Sequence, residues 1–469
     1  MALRDEQEGR KGMKNNLKYS LTGQSACGAV LFIIINNLRK NMAKRLDSLQ
    51  AILLNDTVLE EWFRPMQKAL DKVRYSRKRF STLTAEFFIL LGCLRQLQGL
   101  KIMRDQIQAL FDTDDYADKV PLARSTWSDA LANPQRSEIL REAVQVLVRD
   151  ARNELPDRFA GIKELGTRPI YALDATYQDE SSHYQPCYPH EGGTDNRKGH
   201  MTLTTYDMRA GIAVDSNTET TSIDEMRFVK EVWRASWWTS QKNAIYVVDR
   251  AFIEARYWDQ RKKEFNATVI TRMKTTFKYQ VLAELNRAAD PVNEGVVSDQ
   301  LIQLRSSKEV WRLIRFIAPN GEDYEYLSND LALTPGIIAF LYHRRWDEEK
   351  YFDNYKTDMA NSKAWGKSPI AIEQQALLGL VTHILMRLFL HKKGQELGLE
   401  EDHQTQQKRH EKKESDYIVN WDGNYNRAFF KKLSKITKQA WRFVKNSFLK
   451  KSSQRLYELK LRPVLMAYL

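Results

Sequence analysis

Three acidic residues, Asp174, Asp249 and Glu349, have the type and the setting that phosphoryl transfer requires. Asp174 ends the apolar run IYALD and Asp249 ends IYVVD, so each is predicted at the carboxyl end of a short, buried strand. Ligands collect at that edge of an open α/β sheet, and a buried carboxylate there is costly unless it is paired or binds a metal. Carboxylates from separate elements would supply the oxygen ligands that Mg²⁺ prefers. Strand-end acids that are solvated, or that cap the next helix, are the alternative.

Glu349 lies in the stretch YHRRWDEEKYFDNYK, which mixes charges of both signs with aromatic rings. At about 100° per residue, Tyr342, Arg345, Glu349 and Lys356 fall on one side of a helix. This pattern predicts that Glu349 binds a metal. Arg345 and Lys356, on either side of Glu349, would bind the phosphates that flank the scissile bond. An exposed helix with internal ion pairs, such as Arg345 with Glu349, is the other interpretation.

The elements that must position these residues change in type along the chain. Residues up to about 160 show helical periodicity. After residue 168 the order becomes strand, hairpin, helix, strand, helix and strand, which is typical of a mixed α/β fold. Residues 273–335 favour β-structure, and helices are predicted beyond them.

The composition is that of a folded, basic protein. Of 469 residues, 42% are hydrophobic and 28% charged, which excludes a disordered chain, and the formal net charge is +13. An excess of Lys and Arg indicates a polyanionic partner, most often nucleic acid, although a merely basic protein has the same composition.

The sequence disfavours both a membrane protein and a disulfide-rich protein. Cys27, Cys93 and Cys187 are too few and too scattered for a disulfide framework, which fits a reducing compartment. The apolar run 26–35 is too short to span a bilayer, and the run 371–390 is interrupted by polar residues, so it is predicted to be a buried helix. We expect a cytoplasmic protein without a membrane partner.

The signature spacing also matches a known family. Tyr342, two residues, Arg345, three residues, Glu349, six residues and Lys356 reproduce the Y-R-E-K signature of one group of bacterial insertion-sequence transposases of the DDE class. The chain resembles that group over residues 165–390. The resemblance implies that Asp174, Asp249 and Glu349 are the catalytic, metal-binding acids.

The resemblance implies a fold and a domain organisation. The fold would be α/β, a ribonuclease-H-like mixed sheet with helices, interrupted by a β-rich insertion between Asp249 and Glu349, with helical N- and C-terminal regions. The implied regions are a helical, end-DNA-binding domain (1–160), the first catalytic part (161–272), the insertion (273–335), the second catalytic part (336–395) and a basic helical C-terminal region (396–469).

The implied activity is Mg²⁺-dependent cleavage of double-stranded DNA at transposon ends and joining to target DNA, with Mn²⁺ able to substitute. The implied assembly is a homodimer in a synaptic complex, located in the bacterial cytosol or nucleoid. The DNA-binding residues implied by the family are Tyr342, Arg345, Lys356, Arg272, Lys274 and Trp311. Trp311 would stack on a flipped base, but a core tryptophan is the alternative that stays open.

Two other functions compete with this expectation. A nuclease of the same fold would cut DNA without joining it, and a transposase-derived DNA-binding protein would do neither. A further group, His183, Cys187, His190 and His200, has residue types that bind zinc, but its spacing fits no common zinc pattern and a loop is favoured.

Overall fold

The computed structural model describes eleven parts of the chain, and the signature residues Glu349 and Lys356 lie outside them, as does the predicted C-terminal region beyond residue 396. The described residues are 57–75, 80, 83–98, 124–179, 186–189, 196–220, 224–232, 241–286, 290–318, 321–345 and 364–396.

Within the described residues before the sheet there are four helices, in agreement with the predicted helical N-terminal region. Their bounds are α1 Thr57–Asp71, α2 Ala85–Gln98, α3 Arg124–Leu131 and α4 Pro134–Glu154. Helix α4 begins where it does because Asn133 accepts a hydrogen bond from the Arg136 amide (3.1 Å) and Pro134 occupies the first turn.

Three antiparallel strands form one side of the sheet. They are β1 (Ile170–Asp179), β3 (Asn196–Asp207) and β4 (Ile212–Glu219), and the short β2 (Pro186–Pro189) pairs with the start of β3. The predicted hairpin is confirmed between β3 and β4. Its turn is closed by the Asp207 carboxylate, which accepts from the amides of Arg209 (2.9 Å) and Ala210 (3.1 Å).

Two further strands run parallel to β1. Helix α5 (Glu225–Val232) leads to β5 (Ile245–Val248), and helix α6 (Ala255–Phe265) connects β5 to β6 (Thr268–Arg272). β1 pairs in parallel with β5, and β5 pairs in parallel with β6. All four residues of β5 are buried, as expected for a parallel strand that is covered on both faces.

The predicted β-rich insertion extends the same sheet. Its strands are β7 (Tyr279–Glu284), β8 (Val296–Leu304), β9 (Val310–Ile317) and β10 (Asp323–Ser328), each antiparallel to the next. β10 pairs with β6, so the insertion continues the sheet beyond the last parallel strand.

Two helices follow the insertion among the residues that the structure describes. Helix α7 (Pro335–Arg344) opens the signature stretch, and the long α8 (Pro369–Glu396) packs beside β4 and the N-terminal helices. The Gln374 amide on α8 donates to the Leu131 carbonyl at 2.7 Å. Helix α8 is long and apolar enough to cross a membrane, but 83% of its most apolar window is buried inside the protein, which agrees with the predicted buried helix.

The strand order β4-β3-β1-β5-β6, with three antiparallel strands followed by two parallel ones, is the ribonuclease-H-like arrangement. The predicted fold class, an α/β mixed sheet with helices and a β-rich insertion, is confirmed. Buried side chains from α1 to α8 form one hydrophobic core with the sheet. The proposed domain boundaries remain predictions.

Candidate acid site and nucleic-acid interface

Asp174 and Asp249 occupy neighbouring positions where the parallel pairing of β1 and β5 ends. The register pairs Leu173 of β1 with Val248 of β5; Asp174 is the next residue of β1, and Asp249 is the first residue after β5. Neighbouring strands are about 4.8 Å apart, so the backbones of the two aspartates are adjacent. Both side chains are half-buried.

The local setting of Asp174 differs from the prediction. β1 does not end at this residue but continues to Asp179, because the residues from Asp174 onward keep pairing with β3. What ends at Leu173 is the parallel pairing with β5. Asp174 therefore lies in the middle of β1, at the point where β1 stops pairing with β5 but still pairs with β3.

Short backbone contacts hold both carboxylates. One oxygen of Asp174 accepts from the Ala175 amide at 2.9 Å. One oxygen of Asp249 accepts from the Ala251 amide at 2.5 Å and caps the 3-10 turn Arg250–Phe252. The helix-cap alternative is thus realised at Asp249, but the capping bond uses only one of the two carboxylate oxygens.

Tyr342 and Arg345 of the signature stand beside Asp249. Burial raises the pKa of the Tyr342 hydroxyl, and the nearby Asp249 carboxylate raises it further, while Arg345 and Arg272 act in the opposite direction. The Arg345 guanidinium lies 5.5 Å from the centre of the Tyr342 ring and donates to its hydroxyl. Arg345 keeps helical dihedral angles (φ −56°, ψ −26°) just after α7.

A ladder of tyrosine rings links this pair to β6. The ring centre of Tyr342 lies 5.1 Å from that of Tyr326, and Tyr326 lies 5.9 Å from Tyr324. Arg272, the last residue of β6, places its guanidinium 4.9 Å from the Tyr324 ring. Four sequence-predicted residues, Asp249, Tyr342, Arg345 and Arg272, therefore meet around one edge of the sheet.

The two tyrosines of β10 were missed by sequence reasoning. Tyr324 and Tyr326 occur in the run EDYEYLS, whose alternation predicts a strand but gives no sign of a neighbouring acid. Their place beside the signature depends on the pairing of β10 with β6, which sets Tyr326 opposite Arg272.

Of the other residues predicted to bind DNA, some lie among the described residues and some lie outside them. Lys274 follows β6 and places its ammonium 6.0 Å from the centre of the Phe277 ring. Tyr342 and Arg345 are 6% and 7% exposed, so the part of each that could reach DNA is small. Their binding of phosphates, and the roles of Lys274, Glu349 and Lys356, remain predictions.

Trp311 is placed in the core, and its predicted stacking on a flipped base needs correction. The side chain is fully buried, and its indole N–H donates to Asp259 and to Ser307, both at 3.0 Å. A base cannot reach a ring that is enclosed and bonded in this way. The core interpretation, which the sequence left open, is the one that the structure supports.

The histidine and cysteine group is described only in part. His183 and His190 lie outside the described residues, and Cys187 is in β2. His200 is buried in β3, and burial lowers the pKa of its imidazole to about 4. Within the described ranges there is no group of three or more His, Cys, Asp and Glu side chains that could hold a metal ion.

The chemistry of the donor set nevertheless fits a hard cation. Two adjacent carboxylates offer the oxygen ligands that Mg²⁺ takes from proteins, and Mg²⁺ completes its shell with water and substrate phosphates. The neighbouring guanidinium groups of Arg345 and Arg272 favour an anionic substrate at the same edge. The site can therefore bring a phosphodiester, oxygen ligands and positive charge together.

The likeness of this chain to known proteins is weak. No protein-family model matches the chain, and no curated protein matches it. Among solved structures, it is similar to a chain in the "Cryo-EM structure of piggyBac transposase synaptic complex with hairpin DNA". The TM-score is 0.37 and the identity 11%, over 89% of this chain and 82% of that chain, which is too distant to carry a conclusion about activity.

Proposed function

We propose that this protein is a DNA transposase of the DDE class that cleaves transposon ends and joins them to target DNA. The observation that supports it most is the pair Asp174 and Asp249, side by side where the parallel pairing of β1 and β5 ends. That pair belongs to a ribonuclease-H-like sheet, and residues of the Y-R-E-K signature stand next to it.

In the proposed mechanism, Asp174 and Asp249 would hold Mg²⁺, with Glu349 as the third ligand predicted from the sequence. Bound Mg²⁺ would supply Lewis-acid activation of the nucleophile and stabilisation of the leaving oxygen. By fixing the place of the ion, the two carboxylates would set where the scissile phosphate binds at the strand edge. Arg345 and Arg272 supply positive charge where charge builds up on the phosphate oxygens.

Two displacements would follow each other at this site. Water attacks the phosphorus at the transposon end, the bond from phosphorus to the 3′ oxygen breaks, and a 3′-hydroxyl and a 5′-phosphate result. The freed 3′-hydroxyl then attacks a target phosphodiester, which forms one new phosphodiester bond and releases a target 3′-hydroxyl. Neither step oxidises or reduces any atom, and no covalent bond to the protein forms.

The test is a joining assay with the full chain and Mg²⁺. The substrate is a labelled duplex built from the DNA that flanks the gene, and a supercoiled plasmid serves as target. We expect labelled DNA to become covalently linked to the plasmid. Cleavage without linkage would indicate the nuclease alternative, and binding without cleavage would indicate a non-catalytic DNA-binding protein.

A further inference from the structure

The turn between β8 and β9, residues 305–309, is fastened to helix α6 by buried hydrogen bonds. The Asp259 carboxylate accepts from the Ser307 hydroxyl at 2.6 Å and from the Trp311 indole at 3.0 Å. The Gln303 amide donates to the carbonyls of Ser307 (2.7 Å) and Glu309 (3.1 Å). The turn is thereby held in one conformation against the helix that follows Asp249.

Two surface contacts complete the attachment. Lys263 of α6 pairs with Glu309 at 2.7 Å, so the acid of the turn is already neutralised. Arg256, in the first turn of α6, donates to the Ser306 carbonyl at 3.3 Å and so keeps its guanidinium beside the turn.

Four exposed cations gather at this place. They are Arg256, Lys278, Arg305 and Lys308, which we call the turn platform. The Arg305 amide donates to the Lys278 carbonyl at 2.9 Å, which sets these two residues side by side. Across the parts of the chain that the structure describes, none of the four forms an ion pair with a carboxylate. These four unpaired cations come from three segments of the chain and are held on a fixed turn. Such an arrangement can bind an extended polyanion.

Short segments of chain join the turn platform to the residues around Asp174 and Asp249, which we call the acid pair. Arg256 is seven residues after Asp249, and Lys278 is six residues after Arg272. Six residues span at most about 20 Å. That distance is about six steps of 3.4 Å along a DNA strand. A duplex with one phosphate at Asp174 and Asp249 could therefore also reach the turn platform.

We propose that the turn platform binds the sugar-phosphate backbone of duplex DNA within about six base pairs of the reacting phosphodiester. This inference rests on the proposed function, because that function puts DNA at the acid pair. Lysine and arginine on a surface turn contact phosphates and position the duplex, and they do not read its sequence. Asp259 acts as a positioning residue, because it holds the turn and does not touch DNA itself.

The experiment measures binding of a fluorescein-labelled DNA duplex by anisotropy across a salt series. Each phosphate contact contributes about 0.9 to the slope of log affinity against log salt concentration. The double variant Arg305→Ala/Lys308→Ala should flatten the slope by about two contacts. The control is Arg64→Ala, which removes an exposed arginine of α1 that is paired with Glu60 at 2.8 Å. It should keep the wild-type slope.

Circular dichroism is used first to confirm that both variants are folded. Folding is expected because the two turn residues are exposed and their loss leaves the buried contacts in place. An unchanged slope in the folded double variant would overturn the proposal. So would an equal loss in Arg64→Ala, because the attraction would then be diffuse rather than local.

A second duplex locates the contact and separates the two proposals. It carries neutral methylphosphonates within about six base pairs of the cleavage position. Wild type should lose affinity on this duplex, and the double variant should lose much less. Protein that binds through the turn platform but never cleaves DNA would contradict the proposed function alone. Cleavage with an unaltered salt slope in the double variant would contradict the turn platform alone.

Discussion

At the scale of single residues, the buried histidine of β3 shows how the sheet next to the acid pair responds to pH. His200 is 1% exposed, and among the described residues its Nδ1 has no hydrogen-bond partner. It pairs in register with Gln178, four residues beyond Asp174 on β1. Protonation there would bury a charge without a counter-charge, which is why the pKa of His200 falls to about 4.

This histidine predicts a loss of stability in mild acid. The pKa of His200 is about 4 in the folded protein and about 6.5 when unfolded, so only the unfolded chain gains a proton between these values. The contribution of His200 to the free energy of unfolding is present above pH 6.5 and is lost as the pH falls. Between pH 7 and pH 5 this loss is about 2 kcal/mol.

The measurement is urea denaturation at pH 7 and pH 5 for wild type and His200→Gln. The variant should lose about 2 kcal/mol less than wild type over this interval. His391→Gln, at the partly exposed histidine of α8, serves as the control and should behave as wild type does. Equal losses in wild type and His200→Gln would show that His200 is protonated in the folded protein.

At the scale of elements, a glycine lets helix α7 pack closely against the insertion. The Gly336 amide donates to the Asn293 side chain at 3.1 Å, and a Cβ on Gly336 would overlap the carbonyl oxygen of Val292. This close approach aims α7, and with it Tyr342 and Arg345, at the edge that carries Asp249. The insertion thus positions the signature helix as well as extending the sheet.

Gly336→Ala should therefore destabilise the protein by about 3 kcal/mol or more, because backbone rather than a side-chain end must move. Gly92→Ala is the matched control. Its Cβ would meet only the flexible Leu378 side chain at 2.5 Å, so a smaller loss of about 1–3 kcal/mol is expected. Thermal and urea denaturation of both variants measure the difference. A Gly336→Ala protein as stable as wild type would mean that α7 is not held by this contact.

Several elements could be predicted because their signals are local. The apolar runs before Asp174 and Asp249 predicted β1 and β5. The continuation of β1 beyond Asp174 could not be predicted, since it depends on β3 as a partner. β7 carries six exposed residues, so it lacks the alternation by which a half-buried strand is recognised.

At the scale of the whole molecule, the sheet runs without interruption from the acid pair into the insertion, and one core joins it to the N-terminal helices and α8. Long-range contacts decide the roles that sequence left open. Trp311 is a core residue because Asp259, 52 positions earlier, accepts its indole N–H. Arg256 and Arg305 share a surface because Arg256 reaches the Ser306 carbonyl, a contact between segments 50 positions apart. No local pattern carries such information.

The central claim is that Asp174 and Asp249 act together as one site, and metal-dependent cleavage of end DNA tests it most directly. Single-turnover cleavage with Mg²⁺ is measured for wild type, Asp174→Asn and Asp249→Asn. The control is Asp323→Asn, at an exposed aspartate of the insertion that pairs with Arg315 at 2.6 Å. Each amide keeps the size of the side chain and removes the charge that holds the ion.

We expect Asp174→Asn and Asp249→Asn to lower the cleavage rate by more than about 100-fold, since losing a ligand should exceed the effect of losing its outer partners. Both variants should still bind duplex DNA, because phosphate contacts elsewhere dominate affinity. Asp323→Asn should cleave as wild type does. Cleavage at the wild-type rate by folded Asp174→Asn or Asp249→Asn would contradict the account, because the reaction would then occur without the acid pair.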